Sequence, residues 1–323
     1  MNELPTALLD RPVAEASGLV ALRYLDDAAA AATRLTDRAD AEALHDFRVA
    51  LRRLRVTVRA YPELRTAVSK KNRRRLRKLA RETNPIRNAE AQIAWFRDHT
   101  TQFTPPQRAA LAPLRSRLRA RHRRAQADTH VELQSRFAKI ARKVRRSLAT
   151  LSADDAKQQS PFRVGAAVAL IAHAKDLRER LEPGAAGSAA ELHATRIAAK
   201  RLRYLLEPVE QDLEQGTRLT ARLKELQDVF GGLTDAHELQ GELRRAAQTD
   251  QEIGVTAAFN LLDAEVAGLL ATVREDWSSA GVELEHDIVA AARQLSAPRS
   301  PSTPRVPPSR RHRPARRRSR IPA

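Results

Sequence analysis

Apolar residues recur at helical spacing along most of the chain, and most regularly in a stretch that occurs twice. Residues 44–59, LHDFRVALRRLRVTVR, put Leu44, Phe47, Leu51, Leu54 and Val58 on one arc of a helix turning about 100° per residue. Residues 192–207, LHATRIAAKRLRYLLE, do the same with Leu192, Ala199, Leu202 and Leu206. Aligned without gaps, Leu44, His45, Arg48, Ala50, Arg53, Leu54 and Arg55 fall on Leu192, His193, Arg196, Ala198, Arg201, Leu202 and Arg203, and Arg52 falls on Lys200. The offset, 192 − 44 = 148 residues, is nearly half of the 323-residue chain, the mark of an internal duplication.

The rest of the pattern predicts helices on either side of each copy. After a loose lead-in over 1–12, helices are expected over 13–36 and then, past a polar break at 37–40, over the first motif. That motif helix ends where Tyr61 precedes Pro62, and the second ends where Glu207 precedes Pro208, because the residue before proline disfavours helix. Further helices are expected over 69–83, 107–127 and 131–151. A polar loop at 152–160 separates the halves. The second half then reads as helices over 161–181, the motif, 216–230, 235–247, 251–277 and 282–295, with a Gly-rich turn at 184–187. Turns at Asn84-Pro85 and Gly231-Gly232 each open a new helix, with Asp235 as a cap in the second half. No alternating strand is evident, and the body is rich in Ala, Leu, Arg and Glu, so the fold class is all-α. One helical domain is expected over 13–295, with halves 13–151 and 161–295 forming two bundles related by a pseudo-two-fold axis.

Charge follows the same periodicity. Arg48, Arg52, Arg55 and Arg59 lie within about 60° of one another beside His45, along the edge of the apolar arc. Arg196, Lys200 and Arg203 repeat this beside His193, whereas Arg53 and Arg201 point elsewhere in both copies. A solvated face with snorkelling arginines is the competing reading. Such a face usually mixes signs at three- and four-residue spacing, and between 43 and 59 the one acid, Asp46, lies off the stripe. Two unbalanced stripes favour a groove whose like-charge repulsion is offset by a polyanion. The helix over 69–83 adds Lys71, Arg74, Arg75, Lys78 and Arg81 on one face. Its counterpart offers Arg218 and Arg222 and is less basic, so contact with a polyanion is expected to be unequal between the halves.

At these residues the chain resembles the CHAD domain, the conserved histidine α-helical domain. HxxR[VI]xxxRLR opens a helix twice, and the resemblance covers roughly 15–295. It implies two helical bundles about a pseudo-two-fold axis and binding of inorganic polyphosphate by basic residues lining a central groove or pore. It further implies a cytoplasmic protein associated with polyphosphate granules. Residues implied in that role are His45, Arg48, Arg52, Arg53, Arg55, Arg59, Lys71, Arg74, Arg75, Lys78, Arg81, His193, Arg196, Lys200, Arg201, Arg203, Arg218 and Arg222. The first half departs from the family's Arg-Asp or Asn-Asp pair after the turn, with Ile86-Arg87-Asn88, a departure that bears on local geometry more than on charge.

Composition narrows the alternatives. The chain holds 58 Lys+Arg against 39 Asp+Glu, for a net charge of +19, which points to acidic partners. Without cysteine there are no disulfides, thiolate metal sites or cysteine nucleophiles. No Gly-rich phosphate loop, HExxH or spaced histidine pair is present, so no catalytic residues, metal or cofactor are expected and the protein is read as a binder, not an enzyme. The segment Glu283-Leu284-Glu285-His286-Asp287 is similar to the ExExK signature of CYTH triphosphatases, but it lacks the lysine and sits in a helical context. No secretory leader and no membrane span are expected, since no run approaches about 18 apolar residues without charge. Residues 297–323 are rich in Pro, Ser and Arg and should not fold; their nine arginines and no acid leave 19 − 9 = +10 on the remainder. Nucleic acid, bound weakly through that tail, and an acidic protein surface held on a scaffold are the other candidate partners. Aromatics at 4% and the lack of a recognition-helix pattern favour polyphosphate, which offers no base to read.

Overall fold

Helix α1 (Val13–Arg34) pairs with α2 (Ala43–Ala60) through the apolar arc of the first motif, since Leu44, Phe47, Leu51, Leu54 and Val58 are all buried. These positions come from a computed structural model, which describes residues 8–37, 40, 42–151, 160–186, 188–247 and 252–297. The expected tail beyond 297 and most of the loop at 152–160 lie outside the described residues. The lead-in is less loose than expected: Leu8–Asp10 forms a 3-10 turn that buries Leu8 and Leu9.

After α2, Pro62 opens the short α3 (Pro62–Ala67), and Ser69 caps α4 (Lys70–Glu82) by accepting a hydrogen bond from the Asn72 amide at 3.3 Å. Asn84-Pro85 starts α5 (Asn84–Asp98) as expected. Helix α6 (Pro105–Ala149) opens on a capping box in which the Gln107 Oε1 accepts from the Thr104 amide at 2.8 Å. The second half contains α7 (Phe162–Ala186), α8 (Ala189–Leu206), α9 (Gly216–Ala247) and α10 (Glu252–Ser296). Among the described residues there is no strand.

The order of neighbours is the same in both halves. α1, α2, α4 and the C-terminal part of α6 form one bundle, with Phe47 edge-on to Phe137 at 5.1 Å. α7, α8, the N-terminal part of α9 and the C-terminal part of α10 form the other. Between them, the Val13 amide donates to the Ser160 carbonyl at 3.1 Å and the Phe162 amide donates to the Arg11 carbonyl at 2.8 Å. Residues 11 and 160, and 13 and 162, are both 149 apart, so equivalent segments exchange bonds across a pseudo-two-fold axis. A second, smaller core lies at the far end, where α5, the start of α6, the end of α9 and the start of α10 bury Phe96, Leu111, Leu118, Leu239, Leu243 and Leu262.

Three expected breaks are absent. α6 runs through 128–130, α9 through Gly231-Gly232, and α10 through Gly281; α7 also continues to Ala186, over most of the turn expected at 184–187, and α6 carries Pro113 inside the stretch expected to be helical. The local costs, about 3 kcal/mol for an interior proline and about 1 for a glycine, are outweighed by packing. Leu111 and Leu114 are buried around Pro113, a Cβ on Gly281 would lie 2.7 Å from Leu181 Cδ1, and one on Gly232 would lie 3.0 Å from Leu269 Cδ1. Asp235 is therefore mid-helix, not a cap. The segment Ile253–Trp277 of α10 is long and apolar enough to cross a membrane, with mean hydropathy 1.5. Here it packs along α9 and α6; Asp263 accepts a hydrogen bond from Gln240 at 2.7 Å, and Glu265 accepts one from Trp95 Nε1 at 2.7 Å.

Candidate polyanion groove

The two motif helices are fixed by their caps and by each other. Asp40 Oδ1 accepts from the amides of Ala43 and Glu42 at 3.0 and 3.1 Å, and the Arg34 guanidinium bonded to Asp40 holds that carboxyl below the usual range. Ser188 caps α8 by accepting from the Glu191 amide at 3.3 Å. α2 and α8 meet where Arg52 Nη1 donates to the Tyr204 hydroxyl at 3.5 Å and Arg53 Nε donates to Glu207 Oε2 at 2.7 Å.

The stripes of the two helices converge at this crossing. Arg48 is half-buried, donates to Thr83 Oγ1, and donates to Asn84 Oδ1 at 3.3 Å. Burial first, then the neighbouring Arg52 and Arg87, push its pKa down to about 10. Arg55 is pushed to about 10 in the same way, by burial and by Arg52, Arg77, Arg81 and Arg201. Burial also lowers Arg196, with Asp235 opposing and Arg52 adding to the shift. A guanidinium does not give up its proton, so these shifts reflect first the lost solvation of half-buried cations and then the repulsion of neighbouring guanidiniums. The ammonium can respond: burial, then Arg196 and Arg52, push Lys200 down to about 6. The acids in range are few. Asp235 stands 3.7 Å from Arg196 Nη2, and Glu90 and Glu238 act on Arg48 and Arg196 from further off. The Nε atoms of Arg196 and Arg203 are buried with no hydrogen-bond partner.

Of the candidate residues, Arg48, Arg52, Arg55, Arg81, Arg196, Lys200, Arg201 and Arg203 come together here, and Arg59 faces Arg201 from the exposed side of α2. His45 and His193 are exposed. Partial burial, then Arg196 and Lys200, lower the His193 pKa, which favours its neutral form. Lys71 and Arg74 remain exposed on α4, while Arg75 and Lys78 turn toward α6.

Three placements correct the sequence reading. Arg53 is held by Glu207 between the rings of Tyr24 and Tyr204, at 5.8 and 5.7 Å, so it ties the halves together and does not line the groove. Arg222 donates to Asp287 Oδ2 at 3.0 Å and to the Ala280 carbonyl at 3.1 Å, which commits it to α10. Arg218 stands beside Gln215, Glu283 and Asp287 on that same side. The acids of α10 hold Arg222 away from the crossing, while Arg218 donates to Gln215 at 3.4 Å. Two cations of the cluster were missed. Arg77 sits one turn before Arg81, a spacing visible in the sequence. At the 147-residue offset that pairs Asn84-Pro85 with Gly231-Gly232, Arg87 falls on Thr234 and Asn88 on Asp235. The departure in the first half therefore also changes the charge: it has Arg87 for Thr234 and the neutral Asn88 for Asp235.

The fold is a pseudo-symmetric pair of helical bundles with a cation-rich crossing of two repeated helices. The sequence profile of the CHAD domain matches residues 20–244, and the chain belongs to the CHAD domain family. Among solved structures, it is similar to the crystal structure of the CHAD domain from the plant Ricinus communis. The TM-score is 0.60 at 20% identity, with 93% of this chain and 97% of the other covered. No curated protein matches the chain.

Proposed function

We infer that the protein binds inorganic polyphosphate in the groove where α2 and α8 cross, and that this binding associates it with polyphosphate granules in the cytoplasm. The observation that carries this reading is the excess of half-buried cations there over the few acids in range. CHAD membership supports the ligand class, since that resemblance implies polyphosphate. An extended chain carrying about one negative charge per phosphorus needs cations repeating along a line, and successive helical turns offer them about 5.4 Å apart. Arginine forks engage two phosphate oxygens each. Nucleic acid would draw on the same charge and also on exposed rings, yet Tyr24, Tyr61 and Tyr204 are buried, at 6%, 4% and 1% exposure. The test is a filter-binding competition between long-chain polyphosphate, single-stranded DNA and duplex RNA. Polyphosphate is expected to displace both nucleic acids, and displacement in the reverse order would overturn the reading.

Lys200 makes the binding pH-dependent. With its pKa near 6 in the free protein, it is mostly neutral above neutrality, and a bound polyanion favours the protonated form. The complex then holds more protons than the free protein. Affinity is therefore expected to rise as pH falls from about 8 toward 6, by up to about tenfold per pH unit. The dependence should flatten in Lys200→Met. For folding, the unfolded lysine titrates near 10.5, so the unfolded chain holds the extra proton between about 6 and 10.5. The Lys200 contribution to stability thus rises with pH across that window. Isothermal titration in two buffers of different ionisation enthalpy reads the proton uptake directly, and no difference between buffers would show that Lys200 does not change its protonation on binding.

A further inference from the structure

The pseudo-two-fold axis makes the outer clefts of the two halves comparable, and they differ in charge. In the second half, the cleft between α9 and α10 is lined by Gln215, Arg218, Val282, Glu283, His286 and Asp287, and its acids engage Arg222. Its image in the first half lies between α4 and α6. That cleft, about 550 Å³, is lined by Arg75, Lys78, Lys139, Arg142, Lys143 and Arg146, with Arg136 and Ile140. At an offset of 147, Arg136 stands where the other half has Glu283, and Lys139 where it has His286. Arg136 is bound by Glu82 and Glu132 at 2.9 and 3.2 Å, and Lys78 reaches Glu82 at 4.0 Å. Among the described residues, Arg75, Lys139, Arg142, Lys143 and Arg146 have no acid within ion-pair distance. A cleft walled by unpaired cations on two helices is an anion site in its own right.

The cleft is also joined to the central groove. α4 is their shared wall: Arg77 and Arg81 face Arg55 across from α2, while Arg75 and Lys78 face α6. Lys71 and Arg74 lie exposed between these two rows, so the outer arc of α4 is cationic throughout. The thirteen residues of α4 span about 20 Å at about 1.5 Å per residue. We propose that the α4–α6 cleft is a second oligophosphate site, continuous with the groove over α4, so that a long polyphosphate chain leaves the centre on the first-half side only. This extends the polyphosphate reading of the groove and rests on it.

The test compares tripolyphosphate, too short to span both places, with long-chain polyphosphate. One variant carries K139A, R142A, K143A and R146A, all at exposed positions of α6 where alanine favours helix. A second carries R48A, R52A, R196A and K200A in the groove. The cleft variant is expected to bind tripolyphosphate like the parent and long-chain polyphosphate about tenfold more weakly, through four screened contacts. Its slope of log affinity against log salt should be flatter. Long-chain affinity and slope equal to the parent's would remove the cleft from the site while leaving the groove untouched. Loss of both probes in the cleft variant would make the cleft the primary receptor and overturn the extension. Retention of both probes by the groove variant would instead refute the central reading, whatever the cleft variant does.

Discussion

Replacing Arg48, Arg52, Arg196 and Lys200 together by alanine is expected to weaken polyphosphate binding about a thousandfold while leaving helicity and thermal stability intact. A charge-assisted contact to phosphate contributes on the order of 1 kcal/mol or more after solvation, and four of them reach about 4 kcal/mol. Stability is expected to change little, because the lost bonds of Arg48 and Arg52 are offset by relief of the burial of these cations and of the Arg52 charge that together hold Arg48, Arg196 and Lys200 below their ordinary values. Alanine is also the best helix former at those positions. Filter binding and circular dichroism on the same preparations read both halves of the expectation. Unchanged affinity would move the site elsewhere on the surface, and a collapse of helicity would show that the cluster supports the fold.

Glu207→Ala is expected to be the opposite kind of variant, costly to folding. Glu207 holds Arg53 at 2.7 Å and stands 3.7 Å from Arg203 Nε, with all three side chains between 16% and 31% exposed. Removing the carboxylate leaves two half-buried guanidiniums beside the ring of Tyr204. A fully buried pair broken in this way costs about 3–5 kcal/mol; partial exposure screens this one, so about 2–3 kcal/mol is expected from urea midpoints at constant slope. The pair Arg53→Met with Glu207→Leu should recover most of the loss, because neither charge is then stranded. A loss in the single variant below about 0.5 kcal/mol, the range of ordinary surface changes, would show that water replaces the carboxylate.

The motif helices were legible because each stripe is periodic and occurs twice. The buried arc of α2 is the one the spacing predicts, and the cations at its edge face the crossing. The long helices were not legible. Gly231-Gly232 and Gly281 are local punctuation, and what keeps these helices running is the nearness of Leu269 and of Leu181. None of these neighbours is close in sequence. The split among the arginines was hidden for the same reason. The spacing already turns Arg53 off the stripe, but its partner Glu207, 154 residues away, was not visible, nor was Asp287, 65 residues from Arg222.

The axis itself has a consequence for how such a protein can be divided between tasks. In a homodimer of identical halves, every contact across a two-fold axis occurs twice with the same residues. Arg53 meets Glu207, but its image Arg201 meets Arg59, an arginine, at the position equivalent to that glutamate. Tyr24, beside Arg53, likewise has His173 as its image beside Arg201. No symmetric dimer can carry an ion pair at one crossing and two like charges at the other. Joining the halves in one chain lifts that restriction: one contact serves as a fastener, and the equivalent contact sets Arg201 near Arg59, with Asp176 as the acid in range.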